Sequence, residues 1–508
     1  MERSEIGMWA AFLLVMGVVG WYMLEIIRCP YWSKEPVLHT YDLVRRCGLM
    51  NSTWKRGMTS YKYNVGVGVG VGVGGGLGGG SGISLWKVGD SGYQGAVEKY
   101  TEFLKKEWIL GVEGDSYTRS FKLSAGDLEK GAGSGAVISS FALAKYPWWD
   151  ASFSGGLDTS GGEMGGRGWM MTYPVYYWIS EPGISCGGVL GDIWGNGGYG
   201  NEKEGETWKV DYLCVSRGVA GGVGGSGIVK KDGVEIVRTL FTTHLYYLIF
   251  GLGSGSGIRR NSALFRGDPM SESMRKVVPL VRFGVVEVEL DEKKIWPLSK
   301  RNWSRGRKWV KVDAKNMTIM QFRLWKKWME GWYSSGGGSG GNGGALGGFQ
   351  MVGVFPWSMM MDKVATEDWI VWVLFSSALG EGEMEEIESV LFFRNERCLL
   401  EHKDEIRGMT GSGTEIFSLV GSWFARGVSV LEGKECFIRG LREMRRIRKT
   451  FRVLRIEGLG YNLGLIAELN VSGGVLEVGK IVNREVCAYY FYNRFWGELE
   501  ARKCFILL

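Results

Sequence analysis

The chain has 508 residues, of which 45% are hydrophobic and 23% are charged, and this composition excludes a wholly disordered protein. The net charge of +7 is too small to indicate a nucleic-acid-binding protein by itself. Glycine accounts for 82 residues, more than twice its usual share of about 7%, but no Gly-X-Y period indicates collagen. Few Pro and His residues accompany the many Gly and Trp residues, which is typical of G-rich, C-poor codons and explains much of the glycine.

The first predicted element is the uncharged apolar run 8–24. Its length is at the lower limit for a membrane-spanning helix, which needs about 20 residues. Three interpretations stay open: a membrane anchor, a buried or amphipathic helix, and a cleaved signal peptide. The acidic residues Glu2 and Glu5 do not favour a signal peptide, because signal peptides begin with a basic region.

Glycine-rich segments at 65–82 and 336–348 punctuate the rest of the chain. We expect an N-terminal extension over 1–54, a first half over 55–290 and a second half over 291–508. Helical spacing of apolar residues, or a short apolar run typical of a strand, predicts elements in both halves. The predicted helices are 94–108, 321–332 and 437–448, and the predicted strands are 208–215, 369–375, 451–456 and 488–492. Interleaved helices and strands favour a mixed α/β fold.

A basic stretch, 439–455, follows the helical spacing of the second half. Two interpretations stay open: a solvated helix face, or contact with an anionic surface such as a membrane or RNA. No RNP or zinc-finger motif accompanies it, so no specific nucleic-acid partner is expected.

The cysteines and histidines indicate no metal site. The eight cysteines include no C-x-x-C pair, and the three histidines are far apart in sequence. No nucleophile elbow is present, so a Ser-His-Asp triad is not indicated either.

The most informative local pattern is a strand, Tyr212–Val215, followed by the glycine-rich stretch 216–227 and a predicted helix. Backbone N–H groups in such a turn, together with a helix N-terminus, can bind phosphate groups. Glycine allows a ligand to approach the bare backbone. The stretch is not a Walker A loop, because no Gly-Lys-Ser/Thr follows.

Several segments, in order, resemble eukaryotic glycylpeptide N-myristoyltransferase (glycylpeptide N-tetradecanoyltransferase). Residues 60–70 are similar to the family's acyl-CoA segment S-Y-x-F-W-x-T-Q-P-V-P, and 107–121 to N-x-Y-V-E-D-D-D-x-M-F-R-F. Residues 211–215 (DYLCV) look like N-F-L-C-V, and 489–493 (YYFYN) like Q-Y-Y-L-Y-N. The resemblance covers about residues 55–508 at low identity.

The resemblance implies two GNAT-like acyltransferase halves related by a pseudo-twofold axis, with mixed sheets flanked by helices. It implies transfer of a myristoyl group from myristoyl-CoA to the N-terminal glycine amine of proteins, in the cytoplasm, with membrane association through 8–24 if that run is an anchor. Myristoyl-CoA would be a co-substrate, and no permanent cofactor or metal is needed. The backbone amides of Tyr212 and Leu213 would form the oxyanion hole, and the terminal carboxylate of Leu508 would accept the proton of the glycine ammonium.

The resemblance assigns the family's other site residues to the matching positions of this chain. Those implied to bind myristoyl-CoA are Tyr61, Lys62, Tyr63, Asn64, Cys214, Val215, Gly221, Val223, Gly224 and Gly225. Those implied to bind the glycyl peptide are Asp211, Tyr247, Tyr489 and Tyr490.

One departure from the family supports a different function. The family's basic phosphate loop R-S-K-R-x-A reads AGGVGG at 220–225, so its Arg and Lys side chains are lost. Each charge-assisted hydrogen bond contributes about 1.5–3 kcal/mol, so coenzyme A affinity would fall. The alternative is a catalytically degenerate, membrane-anchored binding or scaffold protein on an acyltransferase fold.

Overall fold

The computed structural model describes most of the predicted elements and leaves several glycine-rich stretches out. The described residues are 3–28, 32, 35, 37–40, 65–67, 82–107, 110–111, 117–121, 136–142, 167–179, 205–215, 237, 240–245, 248–249, 262–271, 274–295, 306–313, 315–334, 349–376, 386–402, 414–425, 428–472, 475–494 and 496–508.

Seven helices and nineteen strands are bounded within these residues. The helices are α1 (Arg3–Arg28), α2 (Tyr93–Glu107), α3 (Glu292–Ile295), α4 (Ile319–Ser334), α5 (Trp357–Ala365), α6 (Val430–Ile447) and α7 (Tyr461–Leu469). The strands are β1 (Val65–Val67), β2 (Gly82–Lys87), β3 (Leu110–Gly111), β4 (Tyr117–Phe121), β5 (Val137–Ala142), β6 (Arg167–Ile179), β7 (Gly205–Val215), β8 (Ala263–Gly267), β9 (Val281–Leu290), β10 (Arg307–Lys311), β11 (Met351–Val354), β12 (Trp369–Ser376), β13 (Glu386–His402), β14 (Thr414–Phe424), β15 (Phe451–Glu457), β16 (Asn470–Ser472), β17 (Val475–Leu476), β18 (Gly479–Tyr492) and β19 (Cys504–Leu507).

The order of strand pairing is repeated along the chain. In the first half, β2, β5, β6 and β7 form antiparallel pairs in that order, and β7 then pairs in parallel with β8. In the second half, β10, β12, β13 and β14 are antiparallel, and β14 pairs in parallel with β15. This repeated pattern is consistent with the two GNAT-like halves that the family resemblance implies, and it lies in a large mixed sheet flanked by helices.

Two strands join the halves by exchange. Strand β9 follows β8 in the chain but pairs with β15, whereas β18 follows β15 but pairs with β8. The two exchanged strands also pair with each other along most of their length. The halves therefore share a continuous sheet, which makes their strands depend on one another.

Strand β19 brings the last described residues into the centre of the protein. It pairs in parallel with β11, which pairs on its other side with β6 of the first half. All four residues of β19 are buried, and Leu508 is 0% exposed. The function that the family resemblance implies for Leu508 stays a prediction.

The apolar run 8–24 lies inside helix α1, as the helical interpretations expected. Its large apolar side chains are exposed, from Val19 at 44% to Leu14 at 70%, so the run is not a buried helix. Among the described residues, no helix meets the length and apolarity needed to cross a bilayer.

The other predicted elements are present with shifted ends. The predicted helix 437–448 begins earlier, at Val430, because Ser429 and Glu432 form a capping box there. Strand β12 matches its prediction, and seven of its eight residues are buried. The division at residue 290 stays a prediction, although β9 ends at that residue.

Candidate functional site

Strand β7 contains a β-bulge at Tyr212 and Leu213. Its register against β6 pairs Cys214 with Trp169 but Asp211 with Met171, so two residues of β7 stand opposite Met170 alone. Tyr212 has φ of +48°, a left-handed conformation that is uncommon for residues other than glycine. A bulge takes residues out of one-to-one pairing and re-aims their backbone groups. Two adjacent amides are thereby redirected at the position where the family resemblance expects an oxyanion hole.

The bulge lies where β7 and β8 separate. Among the described residues, the two parallel strands are paired at Trp208 with Ala263 and at Lys209 with Leu264, and nowhere else. Beyond these pairs, β8 continues against β18 on its other side. The pairing of β7 with β8 therefore stops before Asp211 and Tyr212.

A hydrogen bond from helix α2 fixes the bulge. The buried hydroxyl of Tyr100, on α2, donates a hydrogen bond to the carbonyl of Tyr212. The Tyr100 ring stacks on Trp169 of β6 at 5.3 Å, and Trp169 stacks on Trp86 of β2 at 5.7 Å. Helix α2 thus holds the strained residue through one hydrogen bond on a stack of aromatic rings.

Asp211, directly before the bulge, has three hydrogen-bond donors. The Tyr173 hydroxyl donates to Oδ2 at 2.6 Å, Lys209 Nζ donates to the same oxygen at 3.2 Å, and the Tyr212 N–H donates to Oδ1 at 3.1 Å. Burial raises the pKa of Asp211, but the Lys209 ammonium and the Tyr173 hydrogen bond outweigh it, so the pKa lies below its ordinary value. The carboxylate is therefore ionised at neutral pH. It accepts a hydrogen bond from the Tyr212 amide, which is one of the two amides expected to form the oxyanion hole.

Two buried lysines lie beside Asp211. Lys209 is on β7, and Lys363 is on α5; they are 5% and 8% exposed. Burial lowers the pKa of each lysine to about 8, although Asp211 opposes the shift. At this pKa both amines change charge close to physiological pH.

Leu508 is held by an arginine of β13. Arg394 Nη1 donates to the main-chain oxygen of Leu508 at 2.6 Å. The other terminal nitrogen of Arg394 contacts Glu396 at 3.0 Å and Glu457 at 2.9 Å. Burial raises the pKa of Glu457, but the guanidinium groups of Arg266, at 2.7 Å, and Arg394 bring it below its ordinary value.

This network continues to β8 and β18 and links the halves. Arg266 on β8 pairs with Glu457 on β15, and Arg455 pairs with Glu287 at 3.2 Å and with Glu485 at 2.8 Å. Buried charges are tolerated when they are paired and hydrogen-bonded in this way. Through Arg394, the network places a fixed positive charge at the main-chain oxygen of Leu508.

The structure separates the two tyrosines implied to bind substrate. Tyr489 and Tyr490 are consecutive on β18, so their side chains point to opposite faces of the sheet. Tyr489 stacks on Phe283 at 5.5 Å, and its electrostatic partners Glu457, Arg266, Arg394 and Asp211 belong to the site. Tyr490 stacks on Phe265 at 5.3 Å in a different core cluster, so the two tyrosines do not face one site.

The remaining predicted residues are in two groups. Cys214 is buried, whereas Leu213 and Val215 are partly buried against a core cluster. Those outside the described residues are Tyr61, Lys62, Tyr63, Asn64, Gly221, Val223, Gly224, Gly225 and Tyr247.

Three arginines of the basic stretch 439–455 contact neighbouring elements of the fold. Arg442 donates to the Ile295 carbonyl at 2.7 Å, and Arg445 donates to the Phe451 carbonyl at 2.7 Å and pairs with Glu292. Arg448 pairs with Glu367. These contacts bind the helix to its neighbours and favour a structural function for the basic stretch over contact with an anionic surface.

Sequence reasoning missed Tyr100, Tyr173, Lys209, Lys363 and Arg394. Lys209 could have been predicted from the sequence, because residues two apart in a strand share a face and Asp211 was already a candidate. The other four come from different elements and had no local signal. Among the described residues, no three His, Cys, Asp or Glu side chains are close enough to hold a metal ion.

Comparison with solved structures gives one likeness that bears on the fold. No protein-family model and no curated protein matches the sequence. Saccharomyces cerevisiae N-myristoyltransferase with bound myristoyl-CoA is similar in structure, with a TM-score of 0.50, 9% identity, and coverage of 94% of this chain and 99% of that chain. A second structure of the yeast enzyme with myristoyl-CoA has a TM-score of 0.48, 9% identity and coverage of 94% of each chain. A tandem GNAT protein from the clavulanic acid biosynthesis pathway has a TM-score of 0.38 and 10% identity, over 82% of this chain and 100% of that chain.

The likeness to the first of these structures shows a shared fold. The chain has the mixed α/β, GNAT-like fold of the N-myristoyltransferase structure. At 9% identity the likeness concerns the path of the chain alone.

Proposed function

We propose that this protein is an acyl-CoA-dependent N-acyltransferase that transfers a myristoyl group from myristoyl-CoA to the N-terminal glycine amine of proteins. The observation that carries the proposal is the β-bulge at Tyr212 and Leu213, at the point where β7 and β8 separate. Strained backbone persists where the surrounding structure holds it, and it is concentrated at functional sites. The fold shared with the yeast enzyme supports the same placement.

The proposed reaction is a direct displacement. The neutral glycine amine attacks the thioester carbonyl carbon, the C–S bond breaks, and the coenzyme A thiol leaves as the amide forms. The carbonyl oxygen becomes negative in the tetrahedral intermediate, and preorganised backbone N–H groups stabilise that charge. The Leu213 amide supplies one donor, and the Tyr212 amide supplies a second when Asp211 releases it.

The acceptor amine must lose a proton before or during attack. In our proposal the acceptor of that proton is the carboxylate of Leu508, which is buried beside Arg394. A neighbouring guanidinium lowers the pKa of a carboxylate, whereas burial raises it. Asp211, which also interacts electrostatically with Arg394, is a further carboxylate of the site, and its charge would attract the glycine ammonium.

The test measures binding and transfer separately on the full chain. Purified protein is titrated with myristoyl-CoA by calorimetry, and a peptide beginning with glycine is analysed by mass spectrometry after incubation with both. We expect saturable binding and a product heavier by one myristoyl group; the same peptide with an acetylated N-terminus is the control and should not react. Folded protein that neither binds nor transfers overturns the proposal, and binding without transfer favours the degenerate binding protein.

The proposed function of the Leu508 carboxylate is tested by a replacement of the same shape. Removal of Leu507 and Leu508 would empty two fully buried positions and unfold part of the core. Release of the chain from an intein with ammonia instead yields a carboxamide, which has the same shape but is not a base. The proposal expects acyl transfer to fall by at least about 100-fold, as for the loss of a general base, with myristoyl-CoA binding unchanged.

A further inference from the structure

Lys363, on α5, is a buried lysine beside Asp211. Its side chain is 8% exposed, and no described residue forms a hydrogen bond or ion pair with its ammonium group. Two aromatic rings lie close to its Nζ, with ring centroids at 5.2 Å for Tyr173 and 4.8 Å for Phe355. Aromatic rings attract a cation but do not replace the hydrogen bonds it loses on leaving water.

Lys209 shares the same surroundings. Its Nζ lies 5.3 Å from the Tyr173 ring and 5.9 Å from the Phe355 ring. It has a carboxylate partner, because Asp211 Oδ2 lies 3.2 Å away. Two ammonium groups and one carboxylate therefore carry one uncompensated positive charge when all three are ionised.

The nearby arginine does not remove this excess. Arg394 lowers the pKa of both lysines, and its own charge is matched by Glu396 and Glu457. A further anion placed beside Lys363 would relieve the unpaired charge. The structure thus has a built position for an anionic group next to Asp211.

The position of α5 indicates which substrate supplies that group. Helix α5 begins three residues after β11, and β11 pairs with β19, which leads directly to Leu508. Lys363 also interacts electrostatically with Arg394, which binds the main-chain oxygen of Leu508, so the lysine belongs to the surroundings of the proposed proton acceptor. The acyl donor offers only an apolar chain and a thioester at the bulge itself.

We propose that Lys363, together with Lys209, binds a carboxylate of the acyl acceptor, so that preferred acceptors are amines with a carboxylate close to the reacting nitrogen. This inference rests on the proposed N-acyl transfer for the identity of the acceptor. A glycyl peptide with Asp in its second position is an acceptor of this class. Each lysine has N–H groups left to donate to the carboxylate while its charge stays over the rings.

The experiment measures dipeptide binding to the full chain without acyl-CoA. Calorimetry compares Gly-Asp with Gly-Asn, both as C-terminal amides, so that the Asp side chain is the one carboxylate and Gly-Asn has almost the same shape without it. We expect Gly-Asp to bind about tenfold tighter or better, as for one charge-assisted hydrogen bond. Lys363→Met should reduce the ratio to about one, and Lys363→Arg should keep part of it because the charge remains.

Proton uptake separates recognition of the charge from a structural function of the side chain. Burial lowers the pKa of Lys363 to about 8, and a bound carboxylate would raise it, so binding at pH 8 should take up protons. The charged groups that face the lysine are Asp211, Lys209, Arg394 and Arg397. Titration in Tris and in HEPES, which differ in heat of ionisation, measures this uptake, and Lys363→Met should diminish it.

A matched control and the product assay make the test decisive. Lys311 is another largely buried lysine, but it already pairs with Glu367 at 2.7 Å, so Lys311→Met should leave the Gly-Asp preference unchanged. Equal binding of the two dipeptides, or a preference that persists in folded Lys363→Met protein, overturns the inference. If the Lys363-dependent preference is found but no peptide is ever acylated, the carboxylate site stands and the proposed reaction falls.

Discussion

Arg394 donates a hydrogen bond to the main-chain oxygen of Leu508 at 2.6 Å, although 114 residues separate them in sequence. The same guanidinium contacts Glu396 and Glu457, so it ties the end of β19 to two other strands of the second half. Because Arg266 of β8 also binds Glu457, this network crosses between the halves. The position of Leu508 is thereby set by buried charges as well as by apolar packing.

Removal of Arg394 should destabilise the protein strongly. Arg394→Met leaves two buried carboxylates without one of their cations, and breaking a buried pair costs about 3–5 kcal/mol. Arg282→Met is the control, because Arg282 and Glu498 form an exposed pair, with side chains 52% and 43% exposed. The control should change the free energy of unfolding by at most about 1 kcal/mol. Urea denaturation measures both, and equal losses would contradict the buried network.

The packing of β19 can be disturbed at Gly421 without touching the charges. A Cβ at Gly421 would lie 2.6 Å from Leu507 Cδ2 and 3.1 Å from Phe505 Cζ, so Gly421→Ala forces these buried side chains of β19 to shift. We expect a loss of about 1–3 kcal/mol of unfolding free energy, the usual cost of overpacking. Gly464→Ala, on α7, meets nothing within 4 Å and should instead stabilise the helix by about 0.5–1 kcal/mol. Thermal unfolding of both variants would reveal the opposite signs.

Tyr100 should position the proposed oxyanion hole. Tyr100→Phe keeps the ring stack and removes the hydrogen bond to the Tyr212 carbonyl, which contributes about 0.5–1.5 kcal/mol. Acyl transfer should therefore fall up to about tenfold in kcat, with little change in KM for the peptide. Tyr93→Phe is the control, since Tyr93 is buried on the same helix but makes no hydrogen bond to the bulge. Equal rates for the two variants would count against a positioning function.

His244 should make stability depend on pH. Its ring nitrogens contact Thr172 Oγ1 at 2.7 Å and Ser139 Oγ at 2.5 Å, and burial lowers its pKa to about 3. Between the ordinary pKa of about 6.5 and that value, the unfolded chain binds a proton that the folded chain does not, so stability falls as the pH falls. In that range His244 changes the free energy of unfolding by up to about 1.4 kcal/mol per pH unit. Urea denaturation from pH 7 to 5 should show a smaller slope for His244→Gln; an unchanged slope would refute the assignment.

The sequence by itself determined the elements that depend on local patterns. The alternation and apolarity of residues 208–215, 369–375 and 488–492 fixed three strands, and helical spacing fixed α2 and α4. Ordered motifs also indicated the fold and directed attention to Asp211, Tyr212 and Leu213. Hydrogen bonding and side-chain alternation within a strand act over a few residues, so the sequence displays them directly.

Only the tertiary structure decided the composition of the site. The bulge at Tyr212 exists because β7 pairs with β6 in a shifted register, which no pattern within β7 shows. Lys363 and Arg394 come from α5 and β13, and they meet Asp211 and Leu508 because the exchanged strands and β19 bring the halves together. Buried charges are selected by their partners in space, and those partners lie far away in sequence.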